Sequence, residues 1–184
     1  MIYTKRLILR PWNKADAPPL FKYASDEKVA NPAGWPAHKS VEESKNVIKD
    51  IFSAKNTFAV CLRESGEPIG CIGLMAGEAA NIELDTDEAE IGYWLGAPFW
   101  GRGLMTEAAR AIIDYGFEML GLKCIKCGYF DGNTRSYGVQ KKCGFVHSYT
   151  VKDAYWALTD KTLTEHITVL TRDNWEKIKK HQNN

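Results

Sequence analysis

Between Ala89 and Arg110 the chain reads AEIGYWLGAPFWGRGLMTEAAR, and no other stretch narrows the possible folds as far. Residues 89–95 predict a strand and residues 96–103 a glycine-rich turn. From Leu104 the pattern becomes helical: Ala109, Ile112, Ile113, Gly116, Phe117 and Leu120 recur at three and four and draw one apolar stripe. Gly121 follows as the C-cap. Gly101 and Gly103 lack Cβ atoms, so the backbone can curl there and approach a ligand closely. The first four N–H groups of the helix have no intrahelical partner and point into the turn. Together with the helix dipole they form an anion site, to which Arg102 adds a mobile positive charge. The ligand expected there carries phosphates. Neither GxxxxGK followed by Ser or Thr nor GxGxxG is present, because Gly103 leads into Leu104, Met105 and Thr106. That argues against an ATP loop or a dinucleotide turn. On this segment alone, a strand-to-helix turn that merely holds two glycines stays open.

The rest of the chain supplies a sheet around this unit. Residues 4–10 (TKRLILR) alternate, with Leu7 and Leu9 on one face and Arg6, Ile8 and Arg10 on the other, which predicts a strand ended by Pro11. Residues 14–25 predict a helix with Pro18 near its first turn, and 31–39 an irregular loop. Ser40 opens a helix to about Lys55, with Glu43 completing a capping box. Residues 57–63 and 68–75 predict a hairpin, and 78–88 a polar loop or short strand. Residues 123–130 predict a strand, 133–142 a short helix, and 145–156 and 163–171 two strands, the last leading into a final helical turn around Trp175. The order β, α, α, β, β, β, α, β, α, β, β describes one mixed α/β sheet. At 184 residues it is expected to be one domain, 1–184, large enough to fold without a metal or disulfide.

Charge and composition exclude several functions. The 24 basic and 23 acidic residues are scattered, so no nucleic acid partner is expected. No apolar run approaches the length of a membrane span, and Met1–Arg10 lacks the apolar centre of a signal peptide. A cytoplasmic protein is expected, its five cysteines (Cys61, Cys71, Cys124, Cys127, Cys143) reduced. Cys124 and Cys127 form a CxxC, but residues three apart on a strand point to opposite faces, so no metal site is expected.

Residues 133–145, NTRSYGVQKKCGF, taken with the strand and turn upstream, resemble the GNAT superfamily, the general control-type N-acetyltransferases. The family's diphosphate loop, Q/R-x-x-G-x-G/A, aligns with Trp100–Met105. Asn133, Ser136, Lys142, Gly144 and Phe145 match its downstream Asn, small residue and Lys-x-Gly-Phe ending. The opening TKRLILRPWNKADA, the GYW at 92–94 and the run at 100–108 resemble the ribosomal-protein N-terminal acetyltransferase-like (RimJ/RimL-type) branch, over about residues 3–171. The resemblance implies a single mixed, mostly antiparallel twisted sheet of about seven strands flanked by about four or five helices. It implies transfer of an acetyl group from acetyl-CoA to a primary amine by direct attack in a ternary complex. The acceptor would be a protein N-terminal α-amine or a small-molecule amine; no metal takes part, and the protein would be a monomer or homodimer. Pantetheine would lie along the backbone of Tyr93, Trp94 and Leu95. The diphosphate would meet the N–H groups of Gly101, Arg102, Gly103, Leu104, Met105 and Thr106, and Asn133 would bond the pantetheine.

Three positions depart from the family pattern. Trp100 stands where the wider family has Gln or Arg and Met105 where it has Gly or Ala; Trp is tolerated there in the RimJ/RimL-type branch, and backbone amides do the binding, so phosphate binding survives both. Gln140 occupies the place of a Tyr that protonates the departing thiolate, and an amide cannot do that near neutral pH. Ser136 is the candidate acid in its stead and Tyr137 its backup, although a serine one turn into a helix capped by Asn133 also serves to satisfy backbone. Glu90, acting through a water, is the candidate base; a solvent-facing strand residue would look the same. Asp85, Asp87 and Glu88 form an acidic run able to draw a cationic amine, or a wet loop. Trp35, between Pro32 and Pro36, is the candidate wall of the acceptor pocket. Gln140 keeps a non-catalytic acyl-CoA-binding or regulatory module open as an alternative, as is an acyltransferase that uses another acyl-CoA donor.

Overall fold

The computed structural model describes residues 1–182. Of the alternation expected to be a strand over 4–10, only Leu7–Arg10 forms one (β2), and a separate short strand, β1 (Ile2–Tyr3), precedes it. Thr4 makes the turn between them: its N–H donates to the Leu7 carbonyl and its hydroxyl accepts from the Leu7 N–H, both at 3.0 Å. Leu7 and Leu9 are fully buried, as the alternation requires. A 3-10 turn at Lys14–Asp16 leads into α1 (Ala17–Ala24). Asp16 is buried there, matched by Arg10 in a two-pronged ion pair at 2.6 and 2.8 Å and by the Asn13 N–H at 2.8 Å.

A single helical turn, α2 (Glu27–Ala30), follows; it is capped by Asp26 and too short to leave a periodic signal. Ser40 caps α3 (Val41–Asp50) as expected, accepting from the Glu43 N–H at 3.0 Å. The capping box does not close, because the Glu43 carboxylate accepts from the Lys39 N–H instead, and the helix stops at Asp50, short of Lys55. The hairpin is β3 (Thr57–Leu62) and β4 (Pro68–Met75). Then come β5 (Glu88–Leu95), α4 (Leu104–Glu118), β6 (Cys124–Phe130), α5 (Thr134–Lys142), β7 (Val146–Trp156), β8 (Lys161–Thr171) and α6 (Arg172–Gln182). The fold is therefore mixed α/β as expected, with eight strands rather than about seven and six helices rather than four or five. α6 exceeds the single turn expected around Trp175 because that residue is an anchor. Its ring stacks on Phe117 at 5.0 Å between centroids, and its indole N–H donates to Asp114 at 2.7 Å.

The sheet order is β1-β2-β3-β4-β5-β6-β8-β7, antiparallel at every step except β5–β6. That parallel pairing covers only Glu88–Glu90 with Cys124–Lys126. β4 keeps β5 in register as far as Leu95, and β8 holds β6 from Cys124 to Phe130. Beyond Glu90 the two middle strands follow different partners and the sheet opens between them. α4 packs its apolar stripe, Ala109, Ile112, Ile113, Gly116 and Phe117, against β2, β4, β5 and β6 and so spans the joint. Among the described residues no helix is long and apolar enough to cross a membrane.

Candidate active site

The opening between β5 and β6 holds a cavity of about 460 Å3. Residues 91–95 of β5 and 127–130 of β6 form its walls. The turn after β5 and the first turn of α5 line one side, and Asn81, Glu90 and Glu165 line another. The loop after α2 is tied to this opening: Asn133 Nδ2 donates to the Pro32 carbonyl at 2.9 Å and the Trp156 indole donates to the Gly34 carbonyl.

The turn is built as an anion receiver. Gly101 and Gly103 have φ of +73° and +72°, in the left-handed region where a Cβ is disfavoured. No side chain caps α4, so its first N–H groups keep free hydrogen-bonding capacity where Leu104, Met105 and Thr106 line the cavity. The N-terminal segment braces this turn. Glu107 accepts from the Thr4 hydroxyl at 2.6 Å and from the Arg6 backbone N–H and Nε at 2.7 Å each, and Arg6 Nη1 donates to the Arg102 carbonyl at 2.9 Å. In a trans peptide the carbonyl and the next N–H point opposite ways, so this bond directs the Gly103 N–H away from Arg6. The mobile charge expected of Arg102 is placed elsewhere: its guanidinium sits exposed, 6.0 Å from the Phe99 ring centroid, and it does not line the cavity. Arg135, from α5, does line it, 4.0 Å over the Trp100 ring.

Ser136 meets Tyr93 across the cavity. The Ser136 hydroxyl lies 3.1 Å from the Tyr93 hydroxyl, and the Tyr93 hydroxyl is also 3.1 Å from the Ser136 carbonyl. Gln140, only 1 % exposed, donates to Ser136 Oγ at 3.1 Å and to the Gly128 carbonyl at 3.3 Å and accepts from the Thr168 hydroxyl at 2.8 Å. Its amide is a scaffold that aims the serine. Burial lifts the Tyr93 phenol well above its ordinary pKa, so it stays a neutral donor. Sequence reasoning had credited Tyr93 with its backbone alone. Tyr137, the backup acid, is exposed and packed on Tyr129 at 5.3 Å between rings, outside the cavity lining. Asn133 lines the cavity, but both ends of its amide are engaged, Oδ1 by the Ser136 N–H at 3.2 Å and Nδ2 by Pro32.

Glu90 is not a solvent-facing strand residue: it is 5 % exposed, and Asn81 donates to it through its backbone N–H at 2.6 Å and its amide at 3.2 Å. Burial raises its pKa above the ordinary carboxylate value, against the pull of those bonds. A second carboxyl, Glu165 on β8, escaped the sequence reading. It makes no hydrogen bond among the described residues; burial and, after it, the nearby Glu90 charge push it up to about 7. A signal was present, since Glu165 alternates with Leu163 and Ile167 on what is otherwise an apolar strand face. The acidic run beside β5 plays no such part: Asp87 pairs with Lys123, and Glu88 with Lys126 at 2.6 Å. Trp35 is also displaced from its expected place. It packs edge-on to Trp94 at 5.9 Å between rings, and Pro32, Ala33, Phe130 and Trp156 line the cavity instead.

Comparison with known proteins identifies the family and the fold. The family model described as an acetyltransferase (GNAT) domain matches residues 6–146. The chain is 31 % identical to the uncharacterized N-acetyltransferase p20 of Bacillus licheniformis over 157 residues, 83 % of this chain and 85 % of that one. It is 27 % identical to the ribosomal protein uS5-alanine N-acetyltransferase of Escherichia coli K12, over 92 % of this chain and 78 % of that one. A GNAT-family acetyltransferase structure from Bacillus anthracis superposes with a TM-score of 0.81 at 23 % identity, covering 94 % of this chain and 98 % of its own.

Proposed function

The chain belongs to the GNAT acetyltransferase family and is an N-acetyltransferase, and from that premise we propose how its own residues divide the reaction. Acetyl-CoA, the donor the family implies, enters the opening beyond Glu90 with its diphosphate on the amides of residues 101–106 and its pantetheine arm beside Tyr93–Leu95. The observation that carries this is the short β5–β6 pairing: it leaves one edge of β5 without a strand partner next to an uncapped helix start. The amine nitrogen attacks the thioester carbonyl, the C–S bond breaks, and coenzyme A leaves as thiolate. The tetrahedral adduct still carries a second proton on its nitrogen. As the C–S bond breaks, the Tyr93–Ser136 pair donates hydrogen bonds to the departing sulfur and relays that proton to it, so the pair ends in the neutral form in which it began; the contacts of Ser136 with Tyr93 and Gln140 support this role. The proton lost by the attacking ammonium goes to Glu165. Support comes from its free hydrogen-bonding capacity and its elevated pKa, whereas both oxygens of Glu90 already accept from Asn81. Glu90 then acts by keeping its neighbour's proton affinity high.

The acceptor is a primary amine, either a protein N-terminal α-amine or a small molecule. The test is purified protein with acetyl-CoA, a thiol reagent and a panel of N-terminal peptides, amino acids and polyamines, with product masses read in parallel. Free thiol released together with an acetylated amine is the expected result. Coenzyme A binding without release for any amine would instead favour a non-catalytic acyl-CoA-binding module.

A further inference from the structure

Trp100 opens the phosphate turn with an indole where the family pattern leads one to expect Gln or Arg. The ring is fixed from one side, its N–H donating to the Leu95 carbonyl at 2.7 Å. Over it lies the Arg135 guanidinium, 4.0 Å from the ring centroid, well within cation–π range. Arg135 is the second residue of α5, and its side chain makes no other hydrogen bond or ion pair among the described residues. It lines the cavity together with Gly101, Gly103 and Thr106. Arg102, the basic residue of the turn itself, is directed elsewhere. The positive charge missing from the first turn position is thus present in space, delivered by another helix. An arginine held by its π face keeps its in-plane N–H fork available, and that fork matches phosphate oxygens.

We propose that Arg135, seated on Trp100, is the cation that binds the diphosphate of the donor, and that Trp100 is the residue that positions it. The proposal rests on the acetyl-CoA reading above and goes further by assigning the charge and its platform. Three donors separate the contributions. Acetyl-CoA carries diphosphate and 3′-phosphate, acetyl-dephospho-CoA the diphosphate alone, and S-acetyl-pantetheine neither.

In R135Q the KM for both acetyl-CoA and acetyl-dephospho-CoA should rise roughly tenfold. The kcat/KM for S-acetyl-pantetheine should stay at the wild-type value, and R135K should fall between. A loss confined to acetyl-CoA would assign Arg135 to the 3′-phosphate and overturn the proposal, as would an unchanged KM for both. Trp100→Phe and Trp100→Leu both lose the bond to Leu95, but only the leucine loses the ring face. W100L should therefore raise the acetyl-CoA KM more than W100F does, and should add little in the R135Q background. Equal damage from both, or damage to turnover of S-acetyl-pantetheine, would make Trp100 merely structural. Calorimetry with coenzyme A keeps the premise separate. Wild-type protein that takes up none sinks the acetyl-CoA reading, whereas equal uptake by wild type and R135Q sinks only the role of Arg135.

Discussion

Glu165 shows how far the surroundings of one side chain reach into both stability and chemistry. Its carboxyl is lifted from an ordinary 4.5 to about 7 in the folded chain, by burial first and by Glu90 second. Between those values the folded state holds a proton that the unfolded state has released. Stability therefore falls as pH rises through this window, and the whole penalty is present above about pH 7. Because the side chain is still partly open to solvent, the penalty is discounted to about 1–2 kcal/mol. Glu165→Gln removes it: the variant should melt above wild type at pH 8 and together with it at pH 4, by calorimetric Tm. A variant that melts below wild type at pH 8 would show that the carboxylate is paired, not strained. The same substitution should slow acetyl transfer by about 10²–10⁴-fold, the usual worth of a general base. The rising limb of kcat/KM near pH 7 should vanish, leaving only the ionisation of the amine itself, about 8 for an α-amine.

At the scale of elements, what the sequence declares is what its neighbours in the chain decide. The β5–turn–α4 unit is legible because glycines, strand and apolar stripe sit within one short window, and Asn133 and Ser40 announce their helices by local capping. Partnerships made across the chain are not legible in the same way. Nothing near Arg135 says that Trp100 will carry it, and nothing near Trp35 says that its ring will turn to Trp94 instead of the cavity. Nor does the alternation around Glu165 say which cavity that strand face meets. Glu107 illustrates the difference. A first-turn acid is readily explained by the helix dipole, yet here it joins α4 to the start of β2 through Thr4 and Arg6, and Arg6 in turn holds the Arg102 carbonyl. Glu107→Ala should therefore do two things. Urea unfolding should show a loss of about 1 kcal/mol, the net worth of hydrogen bonds whose exposed donors can turn to water once the carboxylate is gone. The KM for acetyl-CoA should rise while kcat at saturating donor holds. A stability loss with unaltered KM would reduce the brace to a tie between strand and helix.

Across the whole molecule, the sheet is two blocks, β1–β5 and β6-β8-β7, joined by three paired positions and bridged by α4. A ligand lodged in the opening touches both blocks in the folded state and has no site in the unfolded chain, so binding must stabilise the join. At a hundredfold excess over Kd the gain is about 2.7 kcal/mol, which for a domain of this size corresponds to roughly 5–10 °C in Tm. Any tight ligand gives such a shift; its location is the sharper test. The gap-facing amides of residues 91–95 and 127–130 lack a strand partner across the opening. Hydrogen exchange there should slow sharply with saturating coenzyme A, as should exchange at 101–106. The pairing of residues 146–150 of β7 with 166–169 of β8, none of which lines the opening, should exchange as before. Protection spread evenly over both blocks, or confined to β7 and β8, would mean that the coenzyme does not occupy the split sheet.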